Sequence, residues 1–261
     1  MKIAVSGKGG AGKTTLAALA AAELLRRGVK VTAIDADPNP TLGPCLGITA
    51  PPTPLLEMSD EIEARVGSGV IRLNPRVDDL VDKIALRQDS LQLIVAGGPV
   101  RGGAGCACPQ SALLRQLLEH IVVGLDEAVV IDLEAGLEHL GRRTAHAADA
   151  LLIVVDPTNS STDTATRIAR LAADIDLRRV VLVGNRITHP DDLAFIRDRL
   201  PGLDLVGEVP YSREVLVAER ERRPLIDMEG PAAAAVARML DALDAAASGP
   251  APSEPLEEVT S

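Results

Sequence analysis

The chain has 261 residues, is 46% hydrophobic and carries a formal net charge of −10 at pH 7. That is length for one large α/β domain or two small ones, with ample apolar material for a core. The acidic balance argues against a surface that coats nucleic acid and for a soluble protein with a protein or small-molecule partner. No stretch approaches the roughly 18 uncharged apolar residues of a membrane span, and three cysteines make no disulfide framework. The opening reads as a strand and not as an export signal, so a cytoplasmic location is expected, with neither nucleic acid nor membrane as partner. Only Phe195 and Tyr211 are aromatic, so the core must be packed from Ala, Val, Leu and Ile.

Ile3-Ala4-Val5-Ser6 reads as a buried strand and Thr15 to Arg27, rich in Ala and Leu, as a helix. Between them Gly7, Gly12, Lys13 and Thr14 fit G-x-x-x-x-G-K-[ST] in the strand-to-helix context that a phosphate-binding loop requires. Glycines let the backbone N–H groups of Gly9, Gly10, Ala11 and Gly12 turn inward on a polyphosphate, with Thr15 in the first turn of a helix whose positive end faces the same charge. Lys13 then reaches the outer phosphates and the Thr14 hydroxyl is suited to ligate Mg²⁺. Gly7, Gly9 and Gly12 also satisfy the dinucleotide pattern G-x-G-x-x-G, with Asp35 at the distance of a ribose ligand. That alternative has no use for Lys-Thr directly after the third glycine, and the expected ligand is a nucleoside triphosphate. Lys8 is a second loop lysine, which an ordinary loop of this kind does not need.

Gly28 ends the helix, and Val29 to Ile34 forms a second strand that closes on Asp35-Ala36-Asp37-Pro38, where carboxylates beside the loop meet a Mg²⁺ and an attacking water. Pro38 to Pro54 is predicted to be a switch loop, with Cys45 a small buried thiol within it. A short helix over Leu55 to Val66, strands at Val70–Leu73 and Leu91–Ala96, and an irregular polar stretch from Asn74 to Asp89 follow. Gly97 to Gln110 reads as a loop. It ends in Cys106-Ala107-Cys108, and Pro109 opens a helix over Ser111 to Val123. Two thiols one residue apart suggest metal or redox chemistry, but they fill only half of a tetrahedral shell, whereas a dimer supplies four.

Ala128 to Ile131 is a strand closing on Asp132, the pattern of a carboxylate that holds Mg²⁺ at such a loop, and Gly136 lies where a γ-phosphate is sensed. Glu138 and His139 are placed on a helix, with His139 and His146 read as structural or surface residues. Strands at Ala150–Val155, Val180–Val183 and Leu203–Val206 alternate with helices at Thr162–Ile175 and Asp191–Leu200. This alternation predicts a three-layer α/β fold, a mainly parallel sheet with helices on both faces. Asn185 ends one strand with an amide able to donate to and accept from adenine, and Val209-Pro210 ends another beside it. Helices over Tyr211–Glu221 and Gly230–Ala247 close a single domain spanning 1–247. The Pro/Glu/Ser-rich stretch 248–261 is predicted to be disordered.

The loop K-G-G-x-G-K-T-T and D-x-D-P at residues 35–38 resemble the deviant P-loop dimeric ATPases, which include Min-type and partitioning ATPases, arsenite-pump ATPase and nitrogenase iron protein. The resemblance implies that Lys8 reaches across a dimer interface to the partner's nucleotide and that Asp37 positions the attacking water, with Asp35 supporting the metal. It also implies that Asn185, Val209 and Pro210 border the base. Ile131 to Thr144, I-D-L-E-A-G-L-E-H-L-G-R-R-T, together with G-C-A-C at 105–108 and L-N-P-R-V-D-D at 73–79, is similar to the CooC-type accessory ATPases of carbon monoxide dehydrogenase maturation. That similarity implies ATP and Mg²⁺ as cofactors, a homodimer promoted by nucleotide and metal, and Ni²⁺ or Zn²⁺ held by Cys106 and Cys108 across the dimer axis, for insertion of nickel into a client enzyme. Two other readings stay open. An iron–sulfur reductase component like nitrogenase iron protein would need both thiolates from Cys106 and Cys108. A partitioning or positioning ATPase would act through a basic surface or a C-terminal amphipathic basic helix, and the acidic Pro/Glu/Ser tail offers neither.

Overall fold

The structure, a computed structural model, describes residues 1–67, 76–77, 79–97, 108–124, 127–137, 140, 148–177 and 179–247. The strands are β1 (Lys2–Gly7), β2 (Val31–Asp35), β3 (Leu86–Gln88), β4 (Leu91–Val95), β5 (Ala128–Asp132), β6 (Ala150–Val155), β7 (Val180–Ile187) and β8 (Asp204–Pro210). They form one sheet in the order β3-β4-β2-β5-β1-β6-β7-β8. Every neighbouring pair is parallel except β3 with β4.

Parallel strands covered on both faces need apolar residues on both, which is why the strands read as continuous Val/Ile/Leu runs. Along β1, Ile3 and Val5 face one core while Ala4 faces the other. The first core is filled by α1 (Lys13–Arg26), α2 (Leu42–Cys45), α8 (Arg213–Arg220) and α9 (Pro231–Ala247). The second is filled by α3 (Ser59–Val66), α4 (Leu80–Ile84), α5 (Cys108–Gly124), α6 (Asn159–Asp174) and α7 (Pro190–Arg199). Helix α1 is buried nearly all round, from Leu16 to Leu24, because it is wedged between the sheet and α9. Its alanines let the backbones approach closely, and Arg27 fastens the pair by donating to the Ala237 carbonyl at 3.0 Å and pairing with Asp241 at 2.9 Å. The three-layer architecture is therefore the expected one.

Strand β1 stands at the point where the order reverses, with β5 on one side and β6 on the other. In open α/β sheets the crevice outside the carboxyl ends at such a point is where ligands bind. Among the described residues no helix is long and apolar enough to cross a membrane.

Several boundaries differ from expectation. Asn74 to Asp89 is not wholly irregular, since it holds α4 and β3. Helix α4 buries Leu80, Val81 and Ile84 in the second core, a stripe of little more than one turn, and Arg65 of α3 adds hydrogen bonds to Asp79 Oδ1 and Oδ2 at 2.9 and 3.0 Å and to the Arg76 carbonyl at 2.8 Å. The Pro38 to Pro54 loop contains α2, and Leu55 to Val66 splits into a short 3₁₀ turn over Leu55–Glu57 and α3. Helix α6 starts at Asn159 and not Thr162, because Thr158 is its N-cap and accepts from the Ser161 N–H at 3.3 Å. Strand β7 runs on to Ile187, so Asn185 lies inside it and not at its end. The strand at 70–73, residues 98–107 with Cys106, the helix at 138–139, His146 and the tail 248–261 lie outside the described residues.

Candidate functional site

The loop after β1 and the start of α1 form a cradle built from backbone. Gly12 is the N-cap of α1 with φ 98°, and no side chain caps the helix. The first-turn N–H groups that every helix leaves unpaired therefore point at the loop, with the positive end of the helix dipole behind them. Gly12 must be glycine twice over: its φ is left-handed, and a Cβ there would run into Asn185 Nδ2. Lys13, only 7% exposed, has its ammonium close enough to Asp132 to favour that residue's charged form. Lys8 and Thr15 are half-buried, and Gly9 and Gly10 are exposed at the loop's rim.

Three carboxylates close the site from the strand ends. The Thr14 hydroxyl donates to Asp132 Oδ2 at 2.6 Å. Asp132 Oδ1 is buried with no hydrogen-bond partner. Burial pushes the Asp132 carboxyl up to about 7, partly offset by the Thr14 hydrogen bond, with Asp35 and Asp37 raising it further. Asp35 is pushed up to about 6, again chiefly by burial. Its Oδ2 accepts from the Leu42 N–H at 2.8 Å and its Oδ1 from the Asp37 N–H at 3.3 Å. Asp37 is half-buried, and its Oδ1 accepts from the Asn39 N–H at 2.9 Å.

A buried carboxylate oxygen without a partner, next to a hydroxyl and a cluster of acids, is the arrangement a divalent cation satisfies. Mg²⁺ takes one or two protein oxygens and completes its shell from phosphate and water. Thr14 and Asp132 fit that requirement directly. Asp35 sits beside them with both oxygens already engaged by backbone N–H groups.

Three contributors escaped the sequence reading. The buried Ser6 hydroxyl donates to the Glu134 carbonyl at 2.8 Å and reaches the Gly136 carbonyl at 3.5 Å, holding the turn after β5 against β1. Its only signal was a lone hydroxyl in an apolar strand. The Leu42 N–H ties α2 to Asp35. Gly97 donates its N–H to the Asp35 carbonyl at 3.0 Å and lies so close to Asp37 that a Cβ would strike the Asp37 carbonyl oxygen. Cys45 is half-buried in α2, its thiol pushed up to about 11 by burial, as expected of an inert packing thiol.

On the other side of the loop, the Asn185 side chain donates from Nδ2 to the Ala11 carbonyl at 2.7 Å. Val209 is its register partner on β8, with Pro210 next. The structure thus brings Asn185 to the phosphate loop itself, and one side of its amide is taken. Cys108 opens α5.

A phosphate loop between β1 and α1, a Thr-Asp pair at its floor and a mainly parallel sheet define a P-loop ATPase. The chain belongs to the CobQ/CobB/MinD/ParA nucleotide-binding domain family, whose description matches residues 2–225. It is 38% identical over 250 residues to an ATP-binding protein of Methanocaldococcus jannaschii, covering 92% of this chain and 96% of that one. It is also 38% identical over 229 residues to the carbon monoxide dehydrogenase accessory protein CooC of Rhodospirillum rubrum, covering 84% and 87%. In structure it is similar to MinD in the MinC:MinD cell division complex of Aquifex aeolicus, with TM-score 0.70, 24% identity and 98% of each chain covered. The fold is also that of MinD complexed with Mg-ADP from Pyrococcus horikoshii, at TM-score 0.67 and 18% identity over 95% and 97%.

Proposed function

We propose that this chain is a dimeric ATPase that uses its hydrolysis cycle to assist insertion of nickel into carbon monoxide dehydrogenase. Lys13 and the N–H groups from Gly9 to Thr15 hold the phosphates of ATP, while Asn185, Val209 and Pro210 border the base. Thr14 and Asp132, with Asp35 behind them, would hold Mg²⁺, which would neutralise charge on the transferring phosphoryl group. Asp37 orients a water for in-line attack on the γ-phosphorus. The bond to the bridging oxygen breaks, leaving ADP and inorganic phosphate. Lys8 reaches the nucleotide of a second subunit, where a solvent-excluded ammonium beside phosphate acts far more strongly than a solvated one.

Nickel is the cargo. Cys106 and Cys108 supply two thiolates, and a two-fold axis sets an identical pair opposite them. Four thiolates suit tetrahedral Zn²⁺ as well as Ni²⁺. The observation that carries the coupling is the position of Gly97. It lies nine residues before Cys106 in the chain, it is bonded to Asp35, and it is packed on the backbone of Asp37. A shift of Asp37 on hydrolysis is thereby passed to the base of the cysteine loop. The nature of the client is supported by the accessory protein of Rhodospirillum rubrum named above.

The test uses nickel-free carbon monoxide dehydrogenase, Ni²⁺ and this protein, with ATP or a non-hydrolysable analogue. Activation only with ATP supports the reading. Equal activation with the analogue, or with the Asp37→Ala variant, contradicts it.

A further inference from the structure

Asn185 does more than face a base. It is 9% exposed, and its Nδ2 donates to the Ala11 carbonyl at 2.7 Å across 174 residues of sequence. The neighbouring Gly12 has no room for a Cβ because this same amide fills the space. Ala11 and Gly12 are the last residues before α1, so the side chain grips the backbone that aims the helix's N–H groups at the phosphates.

The strand is irregular directly after this residue. The pairing of β7 with β8 is irregular between Asn185 and Ile187, and Arg186 between them has φ 59°. A non-glycine residue in that region is strained, and strain of this kind persists where the surrounding structure enforces it, often beside functional groups. Bulges re-aim the side chains next to them. Here the irregularity lies directly after the residue that reaches into the loop.

We propose that Asn185 is a positioning residue of the phosphate loop. It fixes the Ala11–Gly12 backbone in the shape that receives a triphosphate, whatever base is attached. The inference rests on the reading that the loop holds a triphosphate, and the two fail separately.

The experiment compares Asn185→Ala and Asn185→Asp with the parent protein by calorimetric titration of Mg²⁺-ATP, Mg²⁺-GTP and Mg²⁺-tripolyphosphate, well below the melting temperature. Aspartate keeps the shape but cannot donate to a carbonyl, so it stands in should the alanine variant fold poorly. One lost hydrogen bond to a buried carbonyl corresponds to about a tenfold loss of affinity. The loss is expected to be of the same size for every ligand the parent binds, tripolyphosphate included, with KM for ATP raised and kcat at saturation largely retained. A general loss of stability would lower the melting temperature without moving these affinities. Reduced ATP binding with tripolyphosphate unchanged would make Asn185 a reader of the base alone, and unchanged affinities throughout would also overturn the inference. If the parent binds none of the three, the triphosphate reading itself fails.

Discussion

Asp35 and Asp132 occupy the same register position on neighbouring strands β2 and β5, and both are wholly buried. Burial pushes each above the ordinary carboxylate range, with the charge of Asp37 raising Asp35 and that of Asp35 raising Asp132 further. The Lys13 ammonium relieves part of that cost at Asp132, and a divalent cation bound there would relieve more.

This pair predicts how stability depends on pH. A carboxyl group raised in the folded state contributes stability fully present below its unfolded value, near 4, and lost as pH rises through its folded value. For Asp35 and Asp132 those folded values are about 6 and about 7. The ligand-free protein therefore loses stability as pH rises from about 4 to about 8, while stabilisation by Mg²⁺ and nucleotide grows over the upper part of that range. Asp132→Asn should gain on the order of a few kcal/mol over the parent at about pH 8 without ligand, and should lose the response to Mg²⁺. Thermal melts across pH with and without Mg²⁺-ATP check this, and a variant no more stable than the parent would contradict it.

Lys13 and Asp37 separate binding from turnover. Lys13→Ala should abolish nucleotide binding, because no other described cation sits at the floor of the cradle. Asp37→Ala should keep binding within severalfold and lower turnover by roughly 100-fold or more, the scale of a lost positioning group. Calorimetry paired with phosphate release distinguishes them. Turnover undiminished in Asp37→Ala removes that residue from its role.

Gly97→Ala tests the link between the two sites. A Cβ there cannot be accommodated without moving the Asp37 backbone. ATP binding should persist, while turnover and any effect of metal on turnover fall together. Steady-state hydrolysis with and without Ni²⁺ measures it, and a variant still stimulated by Ni²⁺ like the parent would show that the cysteine loop does not act through this contact.

Lys8 is tested by dimerisation. Lys8→Ala should bind Mg²⁺-ATP normally and fail to associate, as followed by light scattering. Identical association in variant and parent would leave Lys8 a loop residue.

That Gly12, Lys13, Thr14, Asp35 and Asp132 meet at one candidate site was legible in the sequence. Gly12, Lys13, Thr14, Asp35 and Asp132 are each dictated by local chemistry at a strand end, so a motif and a hydrophobic run locate them. Asn185, Ser6 and Gly97 act on partners distant in sequence, the Ala11, Glu134 and Asp35 carbonyls, and only the strand order brings each to its partner. The stretch 74–89 misled because the apolar face of α4, Leu80, Val81 and Ile84, spans little more than one turn among charged residues. The start of α6 was misplaced by three residues because polar Asn159, Ser160 and Ser161 look like a turn until Thr158 is seen capping them.

The proposed function requires that two chains share one metal through Cys106 and Cys108. The direct measurement is native mass spectrometry of metal-free protein titrated with Ni²⁺, with and without Mg²⁺-ATP, on the parent and on Cys106→Ala and Cys108→Ala. The expected result is a dimer carrying one Ni²⁺, favoured further by ATP because two ligands that promote one interface promote each other. Either cysteine variant should lose the nickel and still bind ATP. One ion per monomer, or a nucleotide-bound dimer that takes up no metal, would contradict the shared-metal account.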